Sequence, residues 1–458
     1  MKNVFKVASG SPAILAIVFS IIVGVFLFNS IEAANVKKTY TIKEMPQVMS
    51  ATWDYKVIND DTEKQAILSL LERGQLIVIN EHTQKTKWLI TAGILINARP
   101  ETLFSVICDM DNYQKFMPMT EGAKAIDRGP NIIELNLTLK LKIVKGIPAI
   151  PMNYSVLHYH RPPYRSDWTY YSGKFESNDG FYQFVPVDDG NSTMAFYTIY
   201  SRPRIPIATN LFEKDPNLEL VMNMSTAVMV TRALKKRAEE VEKREPFVPG
   251  KGMTGTAVDA MTKDPKTVKL LLSRGGLILI EDGKRMWATT AVSMDAPQGE
   301  VFELITRYEK YPCYMSQVKK TEVLKRSPKG ARAAFKLSLD YAILRIPLKY
   351  ELSYLFNPPT DITWKWAAGD IPDQEGSWKF LPVEGSKKTL GFLRMTMDLR
   401  TLPGMAGAGL KASIGGQPSL EPALMGSQTL INARSTRDFL RLSPAQRKKK
   451  IDECLANK

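Results

Sequence analysis

Cysteine and histidine are scarce in this sequence, three of each in 458 residues. Cys108, Cys313 and Cys454 are too few and too scattered for a disulfide framework or a zinc-ligand spacing. Burial as small apolar side chains is the expected fate of Cys108 and Cys313. His158 and His160 stand at i and i+2, so they share a strand face. With His82 expected in a hairpin turn there is no third ligand, and neither a metal nor a cofactor is implied. No constellation of nucleophile and base is visible.

Positive charge is plentiful. Lys and Arg total 62 against 47 Asp and Glu, for a net charge of +15 and a pI near 9.4. Such a surface favours anionic partners, either nucleic acid or a bilayer of acidic lipids. The one compact basic run, Arg447 to Lys450, reads as part of a solvated tail, 446–458. The N-terminus opens with Lys2 and Lys6, then an uncharged, mostly apolar run, 12–28, and a small residue at Ala33. This is the order of a secretory signal peptide over 1–33. An uncleaved anchor in the inner membrane is the alternative, since Ile31 is bulky for a cleavage-site residue. Either way the rest of the chain is expected in the periplasm or outside, after a leader over 34–60. Export and the lack of a base-reading motif set nucleic acid aside as a partner.

The chain then repeats itself. Ile150-Pro151-Met152-Asn153-Tyr154 matches Ile346-Pro347-Leu348-Lys349-Tyr350 at a spacing of 196 residues (150 to 346). Pro162-Pro163, Trp168, Gly180, Phe184, Pro186 and Phe196 match Pro358-Pro359, Trp364, Gly376, Phe380, Pro382 and Phe392 at the same spacing. Arg73-Gly74 matches Arg274-Gly275 at 201, so small gaps intervene. Ordered matches of this kind mark a duplication, with copies over 61–245 and 264–445. Between them 246–263, holding Pro246, Pro249, Gly250, Gly252 and Gly255, reads as a linker.

Within each copy the periodicity orders the elements. Asp264 and Pro265 start a helix, and Gly275, like Gly74, ends one with a left-handed cap. Apolar strands follow at 76–79 and 277–280, then longer strands near 88–97 and 287–294, then two short helices. Next Leu135, Leu137, Leu139, Leu141 and Ile143 alternate with polar residues, as in an antiparallel sheet with one wet face. More strands and a long helix, near 218–242 and 421–442, close each copy. Val221, Met224, Val228 and Leu234 form an apolar stripe at helical spacing.

This order resembles the helix-grip fold of the START-like superfamily, which includes polyketide cyclases, coenzyme Q-binding proteins and lipid-transfer domains. The segments Asp111 to Pro118 and Tyr308 to Met315 are similar to that family's tyrosine-proline-aromatic turn. The resemblance implies an α+β chain of two tandem helix-grip domains. Each would be a curved antiparallel sheet wrapped around a long C-terminal helix, with a cavity for a lipid or other apolar molecule between them. The residues independently put large side chains on the inner face. Tyr154, His158, Trp168, Tyr170 and Phe184 are the candidates in the first copy, and Tyr350, Tyr354, Trp364, Trp366 and Phe380 in the second. Arg394 would join them, as a partner for phosphate or carboxylate, only if its strand turns it inward. The segment 403–416, rich in small residues, suggests a gate or a membrane-touching lip beside the cavity, or a mobile surface loop. The leading expectation is non-enzymatic binding and transfer of an apolar molecule in the cell envelope. The alternatives are an aromatase or cyclase using His158, and a scaffold whose interiors are filled by side chains.

Overall fold

The computed structural model describes residues 55–80, 88–141, 150–204, 213, 216–274, 276–341 and 344–456. The expected signal or anchor, most of the leader, and His82 lie outside them. The first copy runs α1 (Asp61–Leu71), β1 (Gln75–Asn80), β2 (Leu89–Ile96), α2 (Pro100–Cys108), a 3-10 turn, α3 (Tyr113–Phe116), β3 (Thr120–Gly129), β4 (Ile132–Leu141), β5 (Ile150–Arg161), β6 (Arg165–Gly173), β7 (Phe175–Val187), β8 (Ser192–Pro203) and α4 (Pro216–Glu242). After α5 (Ala257–Lys263) the second copy repeats the order. It runs α6 (Pro265–Ser273), β9 (Gly276–Glu281), β10 (Trp287–Met294), α7 (Gln298–Thr306), a 3-10 turn, α8 (Tyr311–Tyr314), β11 (Val318–Ser327), β12 (Gly330–Tyr341), β13 (Leu344–Asn357), β14 (Asp361–Gly369), β15 (Glu375–Pro382) and β16 (Thr389–Thr396). Helices α9 (Gly404–Gly416), α10 (Leu420–Leu440) and α11 (Pro444–Ala456) complete it.

The duplication is legible in detail as well as in order. Tyr113 Oη donates to Ile107 O at 2.5 Å and Tyr311 Oη to Ile305 O at 2.6 Å, each closing the turn after a short helix. Thr193 and Thr389 make matching buried bonds to Ala98 O and Ala296 O. The Pro162–Pro163 and Pro358–Pro359 bonds are both cis. Asp264 caps α6 by accepting from the Lys266 and Thr267 amides, with Pro265 at the first helical position.

Sixteen antiparallel strands form one sheet, because β1 pairs with β9 and fuses the two copies edge to edge. Ile77 pairs with Ile278, and these are equivalent positions of the repeat, so a pseudo-twofold axis passes between them. The central strands are apolar on both sides because both sides are covered. Ile77, Ile79, Ile278 and Ile280 face the long helices α4 and α10. Leu76, Val78, Leu277 and Leu279 face α1, α5 and α6 through Leu70, Leu71, Val258, Met261 and Leu270. Gly74 does not take the left-handed cap expected of it. It is needed for close approach, since a Cβ there would sit 2.1 Å from the Ile280 carbonyl oxygen across the junction.

Three further expectations change. The end of the stretch read as a linker is helix α5, held by a reciprocal Thr256–Asp259 capping box and buried through Val258 and Met261. The small-residue segment 403–416 is α9, a helix rather than a loop, with Leu410 and Ile414 buried. The isolation expected of the cysteines fails at one pair. Cys313 is bonded to Cys454, with Cα atoms 5.5 Å apart across 141 residues. The sequence carries no local sign of it, since α11 must first fold back onto α8 to bring the sulfurs together.

The basic run therefore lies on a tethered helix, and Arg447 pairs with Glu300. Helix α11 has no buried residue, and an isolated helix of its length is marginal in water. Ile451 alone of α11 packs against the core, so the bridge supplies most of what holds the helix. Reduction, or Cys454→Ser, is expected to raise amide exchange across 444–456 by about tenfold or more while the central strands stay protected. Unchanged exchange in α11 would show that it docks without the bridge.

Candidate functional site

Each copy encloses an interior between its own strands and its long helix, and the two interiors differ. In the first, Trp168 lies over Gly180, where a Cβ would meet the indole at 2.3 Å. Its ring packs against Tyr197 (5.1 Å), Tyr182 (5.3 Å) and His158 (5.7 Å). Asn178 ties this stack together. It accepts from Trp168 Nε1 at 3.0 Å, and its side chain also bonds the Tyr154 hydroxyl. Deeper polarity comes from Ser166 Oγ, which lies 3.2 Å from His158 Nδ1 and 2.9 Å from His160 Nδ1. Cys108 Sγ is 3.9 Å from His160 Nε2.

Burial sets the protonation states here. Desolvation pushes His158 well below its usual range, with repulsion from His160 adding to it, and pushes His160 down to about 4. Cys108, expected to be buried, is exposed at the end of α2, and partial desolvation still pushes its thiol up to about 11. Near neutrality both imidazoles are uncharged and the sulfur keeps its proton, which makes Cys108 a poor nucleophile. Among the described residues no group of three His, Cys, Asp or Glu side chains is placed to hold a metal ion.

In the second copy the polar trio disappears. His158, Ser166 and His160 correspond to Tyr354, Ile362 and Phe356. Tyr354 stacks on Tyr308 at 4.3 Å. A hollow of about 90 Å³ opens between β12–β16 and α10. Tyr311, Phe335, Leu348, Leu352, Trp378 and Met395 supply its apolar wall, together with Tyr350, Tyr354 and Trp364. Gln317, Gln374, Gln428 and Asn432 are its polar lining. Gln374, the counterpart of Asn178, keeps the bond to the tyrosine hydroxyl, here Tyr350. It does not keep the bond to the tryptophan. Trp364 Nε1 and Gln374 Oε1 both lack a hydrogen-bond partner among the described residues.

Of the ten side chains expected inward, Tyr350, Tyr354 and Trp364 line this hollow. Tyr154, His158, Trp168 and Phe184 meet in the core of the first copy. Phe380 is fully buried between Phe302 and Trp378 and does not line the hollow. Tyr170 and Trp366 are corrections. Tyr170 is half-exposed and donates to Gly173 O, and the exposed Trp366 donates to Gly369 O, at equivalent places on the sheet rim. Each lies next to a register shift with the preceding strand, which period-two counting does not detect. Arg394 does not meet the condition set for it. It pairs with Glu281 at 3.2 Å and lies over the Trp287 ring, outside the hollow. Asn178, Gln374, Tyr182 and Trp378 were missed. They form two pairs at the repeat spacing of 196, Asn178 with Gln374 and Tyr182 with Trp378, which was the available signal.

A family model described as polyketide cyclase / dehydrase and lipid transport matches residues 96–223 and 294–415, more than half of the chain. The chain belongs to this family. Each copy carries one match to the family, from β2 or β10 into the region of the last helices. Among solved structures, the chain is similar to the di-domain ARO/CYC BexL from the BE-7585A biosynthetic pathway, at 13% identity over 78% of this chain and 99% of that one, TM-score 0.24. It is also similar to a STAR-related lipid transfer protein fragment from Xanthomonas axonopodis, at 14% identity over 37% and 94%, TM-score 0.27. The human StarD13 lipid transfer and protein localization domain is similar at 10% identity over 38% and 96%, TM-score 0.24. No curated protein matches the chain.

Proposed function

We propose that this protein binds a lipid or comparable apolar molecule in its second copy, without chemical turnover, and carries it within the cell envelope. The observation that carries this reading is the hollow against α10, walled by aromatic and aliphatic side chains and holding a few polar groups. At about 90 Å³ it is smaller than the roughly 300–1,000 Å³ of ligand pockets, so loading requires the walls to part. Helix α9 is suited to that movement. Five of its residues are glycine, and the two interior ones, Gly407 and Gly409, each weaken the helix by about 1 kcal/mol relative to alanine. The signal-like N-terminus and the Cys313–Cys454 bond both fit an oxidising envelope compartment. Exposed Leu324 and Leu355, near the exposed Lys319, Lys320, Lys325 and Arg326 of the edge strand, fit contact with an anionic bilayer.

Protein purified from membrane-containing cells is expected to carry about one extractable apolar molecule per chain in native mass spectra. Chains that arrive empty and also ignore added lipids would overturn the proposal. A cyclase reading rests on one specific observation, the His158–Ser166–His160 cluster of the first copy. It requires His158→Ala to abolish turnover of a hydrophobic substrate while the fold persists.

A further inference from the structure

The two copies differ at one repeated hydrogen bond, and the difference falls inside the hollow. Tyr154, Trp168 and Asn178 correspond to Tyr350, Trp364 and Gln374 at the common spacing of 196. In the first copy Asn178 satisfies both aromatic partners, at 3.0 Å for the indole. In the second, the longer glutamine side chain reaches the Tyr350 hydroxyl and leaves the indole N–H unmatched. Trp364 is 8% exposed and Gln374 is 4% exposed. A buried donor or acceptor without a partner costs about 1–3 kcal/mol, and here one of each kind belongs to a residue that lines the same small hollow, the atoms themselves being closed off until its walls part. Nothing in packing requires both, since the first copy closes the same bond with a residue one methylene shorter.

We infer that Trp364 Nε1 and Gln374 Oε1 form the polar end of the second copy's ligand site and select an apolar molecule bearing a hydroxyl group. A hydroxyl both accepts and donates, so its oxygen takes the indole N–H while its proton goes to the glutamine oxygen. A hydrocarbon of the same shape leaves both groups unmatched. In the first copy the Trp168–Asn178 bond already occupies these atoms, so the copies are unequal and the hydroxyl site is single. This rests on the proposal that the second copy takes up apolar molecules, and it adds the chemical feature by which it chooses among them.

Phenol and toluene, similar in size and shape, are the probes. Binding to the full chain is followed through the indole N–H signals in nuclear magnetic resonance, with Trp364 assigned from Trp364→Phe and Trp168 from Trp168→Phe. Phenol is expected to bind at least about tenfold more tightly than toluene, to move the Trp364 signal and to leave Trp168 in place. Gln374→Asn restores the first copy's closed bond and keeps a side-chain amide. It is expected to reduce the preference to less than about threefold with the fold intact. Equal binding of both probes, or a preference that survives Gln374→Asn, overturns the hydroxyl site and leaves apolar binding standing. If neither probe binds but native mass spectra retain a lipid, the hydroxyl site again falls alone. If neither probe binds and no lipid is retained, both readings fall.

Discussion

Ile278→Asp is expected to destabilise the protein by about 4–7 kcal/mol, whereas Ile278→Val should cost only about 0.5–1.5 kcal/mol. Ile278 is fully buried, paired with Ile77 at the centre of the continuous sheet and directed at the long helices. Its neighbours in the core cluster are apolar, so a carboxyl there is held in its neutral form. Full burial raises a carboxyl by roughly 3–5 pH units, each worth about 1.4 kcal/mol, and the isoleucine's own burial is lost as well. That penalty exceeds what one strand pairing supplies. The two copies should therefore separate into two unfolding transitions in urea, where the wild-type chain shows one. If Ile278→Asp costs less than about 1 kcal/mol and leaves one transition, the fused sheet described here is wrong.

Acid should weaken the first copy more than the second, and the histidine pair is the reason. His158 and His160 are buried, and both titrate below the value of 6.5 that they have in the unfolded chain. The unfolded state therefore binds their protons first as pH falls. Their contribution is intact above pH 6.5 and declines below it, by about 1.4 kcal/mol per pH unit per histidine. For His160 the decline ends near pH 4. Between pH 7 and 4.5 His160 alone should cost about 3 kcal/mol. The groups facing the pair are Ser166, Cys108, Phe104 and Trp168, so no neighbouring carboxylate compensates. His160→Phe places in the first copy the residue the second copy has at Phe356. It should remove most of this slope, and His158→Phe with it the remainder. Urea titrations at stepped pH make the comparison. An unaltered slope in the double variant would mean that other groups, such as Asp259 and Asp398, whose carboxyls are held below their usual range, carry the acid sensitivity.

The order of elements could be read from the sequence because the signals were local and occurred twice. Alternation through Leu135 and Leu137, the cap at Asp264 and the Ile-Pro motif at 150 and 346 each constrain a few neighbouring residues. What depends on distant contacts was harder to read. The unbroken apolar run Leu76–Ile79 shows that β1 is covered on both faces, but not that its edge is completed by β9. The disulfide joins residues 141 apart. Glycine-rich α9 is helical because Leu410 and Ile414 find a core, against weak propensity. At the site, alternation showed which face turns inward. It could not show that the inward face is packed by Trp168 and its neighbours in one copy and left partly open in the other. Nor could it show that the one-methylene difference between Asn178 and Gln374 leaves the Trp364 indole unmatched.

The most direct test is a crystal structure of the chain with the molecule extracted from it, or with phenol if extraction yields none. The binding account predicts density for one ligand between β13, β14 and α10, its oxygen within hydrogen-bonding distance of Trp364 Nε1 and Gln374 Oε1, and a closed Trp168–Asn178 pair in the other copy. Density confined to the first copy, or two interiors packed solid by side chains with the ligand outside, would contradict it.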